Sequence, residues 1–79
     1  MVTVLRALGL RIIIFVADHE PAHVHVFGDG QTKINLVGAG GDVELVWVEG
    51  MKRAEVRRAM QTALDHRGFL LKRWKEIHG

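Results

Sequence analysis

Three of the five histidines of this chain lie within seven residues, beside two carboxylates and the only proline, in the segment Asp-His-Glu-Pro-Ala-His-Val-His at residues 18–25. Imidazole changes its charge near neutral pH and is a common metal ligand. Carboxylates complement it in both roles. The segment therefore predicts a functional site, and its chemistry is either metal binding or acid–base catalysis.

The spacing of His23 and His25 suits a metal ion. Residues i and i+2 of a strand project from the same face, about 6.6 to 6.8 Å apart, so both imidazoles could reach one Zn²⁺ or Fe²⁺. The third ligand would be His19, Glu20 or Glu44. A zincin needs His-Glu-x-x-His on a helix. Pro21 excludes a helix here, so the pattern does not support a metalloprotease.

The same two histidines could instead act as acid and base in metal-free cleavage of RNA, as in a toxin-type endoribonuclease. Arg67 is then the candidate that balances phosphate charge. A purely structural interpretation is also open: His23 and His25 are polar residues on the more solvent-exposed face of a strand, and Asp18 caps the turn before Pro21.

Charge is segregated along the chain. Residues 1–51 carry three basic and six acidic residues, whereas residues 52–79 carry eight basic and three acidic ones. A basic segment can neutralise phosphates, although no recognised nucleic-acid-binding motif is present. The candidate nucleic-acid contacts are Arg53, Arg57, Arg58, Lys72 and Lys75.

Length and composition indicate one small domain over residues 1–79. A chain this short buries only about 60% of its unfolded surface, so a partner would help to stabilise it. The absence of cysteine excludes disulfides and thiolate metal sites and suits a reducing cytoplasm. No apolar run approaches the roughly 20 residues of a membrane span, and no signal peptide is evident. We expect a cytoplasmic protein.

The site must be positioned by strands. β-Branched and apolar residues at 2–6 and 10–17 flank Gly9 and predict a strand pair. Alternation at 22–27 puts the valines on one face and the histidines on the other. Further strands are predicted at 33–37 and 42–48, joined by the glycine-rich connection 38–41.

After Gly50 the period becomes helical. Apolar residues recur every three or four positions with Arg67 as the single charged interruption, at Val56, Met60, Ala63, Leu70, Trp74 and Ile77. We expect one long C-terminal helix at 52–78, with Glu55 in the position of a capping-box acid. Gly68 leaves a bend near 65–68 open as an alternative. The predicted fold class is α+β: a small, mostly antiparallel sheet of four to five strands with this helix packed on one face.

Both faces of the strands at 12–16 and 45–48 are apolar, and one helix covers only one face of a sheet. We therefore expect a homodimer or a small obligate partner.

The opening Thr-Val-Leu-Arg, the His-Glu-Pro-x-His-Val-His core at residues 19–25 and the basic, Trp-containing C-terminal helix resemble a small bacterial family, domain of unknown function 4160. The resemblance covers nearly the whole chain. Lys52 in place of a polar helix cap, and Gly68 within the helix, depart from the family's pattern. The resemblance implies a partner encoded nearby, in a two-gene, toxin–antitoxin-like module. We predict a component of such a module with a histidine-centred site. The alternatives are an RNA-cleaving enzyme, with or without metal, and a nucleic-acid-binding module.

Overall fold

A computed structural model describes residues 2–38 and 40–79 of the chain. Within these residues the elements are β1 (Val2–Ala7), β2 (Leu10–Ile14), β3 (His23–Phe27), β4 (Gln31–Asn35), β5 (Glu44–Glu49), α1 (Arg53–Asp65) and α2 (Arg67–His78). The strands form one antiparallel sheet in the order of the chain. The predicted α+β class with an antiparallel sheet is confirmed.

The β1–β2 turn explains the position of Gly9. Leu8 and Gly9 both have positive φ, at 53° and 76°, as the two central residues of a type I′ hairpin turn require. At its other end β2 stops at Ile14, three residues earlier than predicted. Residues 15–22 therefore form a loop at that end of the sheet, and this loop carries Asp18 and Pro21.

The sheet has two different faces. One, the helix face, is packed against Ala59, Ala63, Leu70 and Trp74 of the helices and is made of Leu10, Ile12, Ile14, Val24, Val26, Ile34 and Leu36. The opposite side, the open face, carries the alternate residues of each strand. Directly opposed residues of antiparallel strands share a face. The register therefore assigns to the open face the row Arg6, Arg11, Phe27, Gln31 and Glu49 and the row Thr3, Ile13, His25, Lys33 and Trp47.

The C-terminal helix is broken, so the prediction of one long helix was wrong. His66 leaves helical geometry, with φ of −112° and ψ of 18°, within the stretch 65–68 where a bend was left open as the alternative. Residues 53–78 as one straight helix would extend about 39 Å. The longest dimension of the fold is 34 Å. Because of the break, α1 and α2 each pack their apolar residues against the same hydrophobic core. Within the described residues, neither helix is long and apolar enough to cross a membrane.

Glu55 has a different role from the predicted one. Its side chain is buried, and its Oε2 accepts a hydrogen bond from the Asp29 amide at 2.9 Å, in the turn between β3 and β4. Lys52 is the N-cap residue and makes no side-chain cap bond. Glu55 therefore ties α1 to the sheet rather than capping its own helix.

The predicted uncovered apolar surface lies mainly on β5. Ile13, on the open face, is only 1% exposed and lies opposite Thr3 and His25. By contrast, the four apolar residues of the edge strand β5 are all exposed, by 37 to 43%: Leu45, Val46, Trp47 and Val48.

Candidate metal-binding site

Two histidines and one aspartate converge at the end of the sheet. His23 Nε2 lies 3.0 Å from Asp18 Oδ2, and His25 Nε2 lies 3.7 Å from the same oxygen. Possible ligand atoms of the three residues all fall within 4.8 Å of one another, and within residues 2–38 and 40–79 this is the group that could hold a metal ion. Atoms that share one ion at about 2.1 Å lie about 3.0 to 3.5 Å apart in octahedral or tetrahedral arrangements. The two distances from Asp18 Oδ2 to the histidines, 3.0 and 3.7 Å, are close to those values.

The hydrogen bond made by Nδ1 of His23 determines the protonation of its Nε2. Nδ1 lies 2.8 Å from the carbonyl oxygen of Pro21, which can only accept, so Nδ1 carries a proton and donates it. In neutral imidazole this leaves a lone pair on Nε2. Nε2 itself lies 3.0 Å from Asp18 Oδ2, a buried oxygen without a hydrogen bond from any described residue. When His23 is neutral, two acceptors therefore meet here without a donor between them.

Aromatic rings hold both imidazoles in place. Trp74 of α2 lies against His23, with ring centroids 5.1 Å apart, and is itself stacked on His78 at 3.8 Å. Phe15 meets His25 edge to face at 4.7 Å. The indole of Trp47 lies 5.9 Å from His25 on the open face. Aromatic rings of Phe15, Trp47 and Trp74 therefore surround the two imidazoles.

Burial shapes the charge state of His25. Desolvation lowers the pKa of His25 below 6.5, aided by His23 and Lys33 and opposed by the negative charge of Asp18. Its Nδ1 is buried and has no hydrogen-bond partner among the described residues. His25 is accordingly neutral at pH 7, which is the form that binds metals.

The other predicted ligands lie outside this cluster. His19 and Glu20 are exposed in the loop, and Glu20 accepts a hydrogen bond from the indole Nε1 of Trp74 at 3.1 Å. Glu44 accepts from the Asn35 amide at 3.2 Å. Glu20 thus anchors the loop to α2, and the third potential ligand beside His23 and His25 is Asp18.

Arg67 is engaged by another part of the chain. Its guanidinium donates to the Gly41 carbonyl and lies 3.9 Å from Asp42, in the connection before β5. Ala39 of that predicted connection lies outside the described residues. The structure does not bring Arg67 to the histidines. The predicted nucleic-acid contacts are exposed on the two helices: Arg53, Arg57, Arg58, Lys72 and Lys75.

Sequence reasoning found the two histidines and missed two residues that complete the site. Asp18 was assigned to a turn, although its place in the same segment as the histidines was a signal that it could fold back onto them. Trp74 was assigned to the core. It is indeed 4% exposed, but its ring also supports His23 and its Nε1 holds Glu20.

The family described as a domain of unknown function (DUF4160) matches residues 9–75, which is most of the chain and includes the entire site. The chain belongs to this family. The match includes Asp18, His23, His25 and Trp74, so the cluster lies within the domain that defines the family. No curated protein and no solved structure matches the chain significantly.

Proposed function

We propose that this protein binds a divalent transition-metal ion through Asp18, His23 and His25. One observation carries the proposal: Nε2 of His23 lies 3.0 Å from a buried carboxylate oxygen of Asp18 that has no hydrogen bond from the described residues. A cation between the two atoms turns this repulsion into coordination. The hydrogen bond from Nδ1 to a backbone carbonyl is the outer interaction that typically orients a ligating histidine.

The ligand set limits the choice of metal. Two imidazoles and one carboxylate bind zinc in hydrolytic sites and ferrous iron in oxygenases, whereas magnesium and calcium prefer oxygen ligands alone. Such an ion, with a coordination position left open, would supply Lewis acidity and an activated water molecule. The chain's own residues orient the ligands: Pro21 and Trp74 fix His23, and Phe15 fixes His25.

Metal analysis of protein purified without a histidine tag tests the proposal. We expect close to one equivalent of zinc or iron in the wild type and loss of it in Asp18→Asn, His23→Gln and His25→Gln. His19→Gln and Glu20→Gln are matched controls, since both remove candidate ligands outside the cluster. Full metal content in Asp18→Asn with loss in His19→Gln would show that the ligand set is wrong.

Metal-free cleavage of RNA is the second candidate, favoured by the contact of one carboxylate with two imidazoles. Asp18 could stabilise the protonated form of either ring while the other ring acts as the base. Arg67 contributes no contact to this arrangement, as its guanidinium is held by Gly41 and Asp42. Cleavage in the presence of a chelator by wild type, and its loss in both His23→Ala and His25→Ala, would favour this candidate over the metal site.

For the cellular role we propose a component of a two-gene, toxin–antitoxin-like module that works as a homodimer or with a small protein encoded nearby. The support is the family resemblance, together with the exposed apolar edge strand β5. Tag-free co-expression with the neighbouring gene tests this role. Separate elution of the two products, with the chain monomeric by light scattering, would refute it.

A further inference from the structure

The open face of the sheet gathers all the basic residues of the first 51 positions. These three residues, Arg6, Arg11 and Lys33, lie on three different strands, yet the register places them on one side of the sheet. The open face is opposite the helices, which pack on the helix face. The sequence of residues 1–51 does not reveal this basic face, because these residues carry six acidic side chains against three basic ones.

Arg6 and Arg11 form the most informative pair on this face. They are directly opposed in the β1–β2 ladder, and like charges in that position destabilise a hairpin. Within residues 2–38 and 40–79 neither forms an ion pair with a carboxylate. The residues from Arg6 to Arg11 line a shallow depression in the surface. Two unneutralised guanidinium groups beside a depression are suited to bind a phosphate.

Aromatic rings accompany the cations. The guanidinium of Arg11 lies 5.8 Å from the ring centroid of Phe27, its cross-strand neighbour. In the adjacent row, Lys33 stands between His25 and the 37% exposed Trp47. Glu44 and Glu49 add negative charge at the two ends of β5, and Asp18 adds it beside His25 at the end of the sheet. Phosphate would therefore be attracted to β1, β2 and β4, and repelled from the ends of β5.

We infer that the open face binds single-stranded RNA, with phosphates at Arg6, Arg11 and Lys33 and bases stacked on Phe27 and Trp47. Sheet surfaces that combine aromatic and basic residues recognise unpaired bases in this way, because every base presents a flat face for stacking. The inference moves the expected nucleic-acid contact from the helices to the sheet. It goes beyond the proposed metal site and does not depend on it, although His25 lies beside Lys33 in the same row.

The test is fluorescence anisotropy of a labelled single-stranded RNA of about 12 nucleotides, with tag-free protein and a chelator. Arg6→Gln/Arg11→Gln/Lys33→Gln should weaken binding and reduce the slope of log affinity against log salt by about 2, for three phosphate contacts on a single strand. The matched control Arg53→Gln/Arg57→Gln/Arg58→Gln removes the same charge from α1 and should leave the slope nearly unchanged. Where the first triple variant does not fold, each single variant should reduce the slope by about 0.7.

Trp47→Ala separates stacking from simple charge attraction. It should weaken RNA binding about 5- to 150-fold and leave the binding of heparin, a polyanion without bases, unchanged. Three results would each overturn the inference: absence of RNA binding at low salt, an equal or larger loss in the α1 triple variant, or a wild-type dimer that the sheet triple variant dissociates. RNA binding is measured in chelator and metal content is measured without RNA, so failure of either proposal is seen separately.

Discussion

Replacing Asp18 with asparagine gives the sharpest test of the site, because two interpretations predict opposite signs. Asparagine keeps the shape of aspartate and removes its charge. If His23 is neutral in the metal-free protein, the change removes a repulsion between a carboxylate oxygen and a lone pair 3.0 Å away. The new side-chain amide can also donate to Nε2. One neutral hydrogen bond contributes about 0.5 to 1.5 kcal/mol.

We therefore expect Asp18→Asn to raise the free energy of unfolding of metal-free protein by about 1 kcal/mol at a pH well above 6.5. For a domain of this size, that corresponds to an increase in melting temperature of about 4 to 8 °C. If Asp18 and His23 instead form a structural ion pair, the substitution removes a charged hydrogen bond and lowers stability by about 1.5 to 3 kcal/mol.

Added metal should have the opposite effect: it should stabilise the wild type more than Asp18→Asn. An ion present at 100 times its dissociation constant stabilises the wild type by about 2.7 kcal/mol, or about 10 to 20 °C in melting temperature. Asp18→Asn should lose most of this shift. The assay is thermal unfolding by circular dichroism in chelator and then in excess zinc, with Glu20→Gln as the control. A variant that is less stable than wild type in chelator, with an intact zinc shift, would refute the reasoning.

The remaining predictions concern the groups that support the site. His25 should titrate below 6.5 in metal-free protein by NMR, because burial disfavours its charged form. Between pH 6.5 and the lowered pKa, the unfolded chain binds more protons at His25 than the folded chain does, so the contribution of His25 to the free energy of unfolding falls as the pH drops. His25→Gln should flatten that decline. A folded-state pKa of His25 above 6.5 would contradict this prediction. Gly28→Ala should destabilise by about 1 to 3 kcal/mol, because a Cβ there would overlap the Glu55 carboxylate and lie 2.8 Å from Leu10. The matched Gly68→Ala, in open space within α2, should stabilise by up to about 1 kcal/mol. Equal chemical-denaturation midpoints for these two variants would show that the packing around Gly28 is looser than described. Trp74→Phe should cost about 1 kcal/mol by loss of the hydrogen bond to Glu20, and double substitution with Glu20→Gln should add little further loss.

Local sequence periodicity predicted much of the fold. Alternation at residues 22–27 placed Val24 and Val26 on the helix face and His25 on the other, and the structure has them so. The helical stripe was also found, since Ala63, Leu70 and Trp74 are buried as the spacing requires. The break at His66 lies in the stretch 65–68 where Gly68 had left a bend open, but local preference did not decide between a bent and a continuous helix. It fits the size of the fold, whose longest dimension of 34 Å is less than the roughly 39 Å of a straight helix over residues 53–78.

The sequence by itself therefore determined a strand that presents two imidazoles beyond a proline, because side-chain direction along a strand follows from its two-residue period. Only the tertiary structure decided what those imidazoles meet. Asp18 reaches them because β2 ends early, and Trp74 supports them from a helix more than fifty residues away in the chain. The basic open face likewise exists only through strand register, which brings Arg6, Arg11 and Lys33 to one side. Such contacts depend on pairing between distant segments, and no local pattern encodes them.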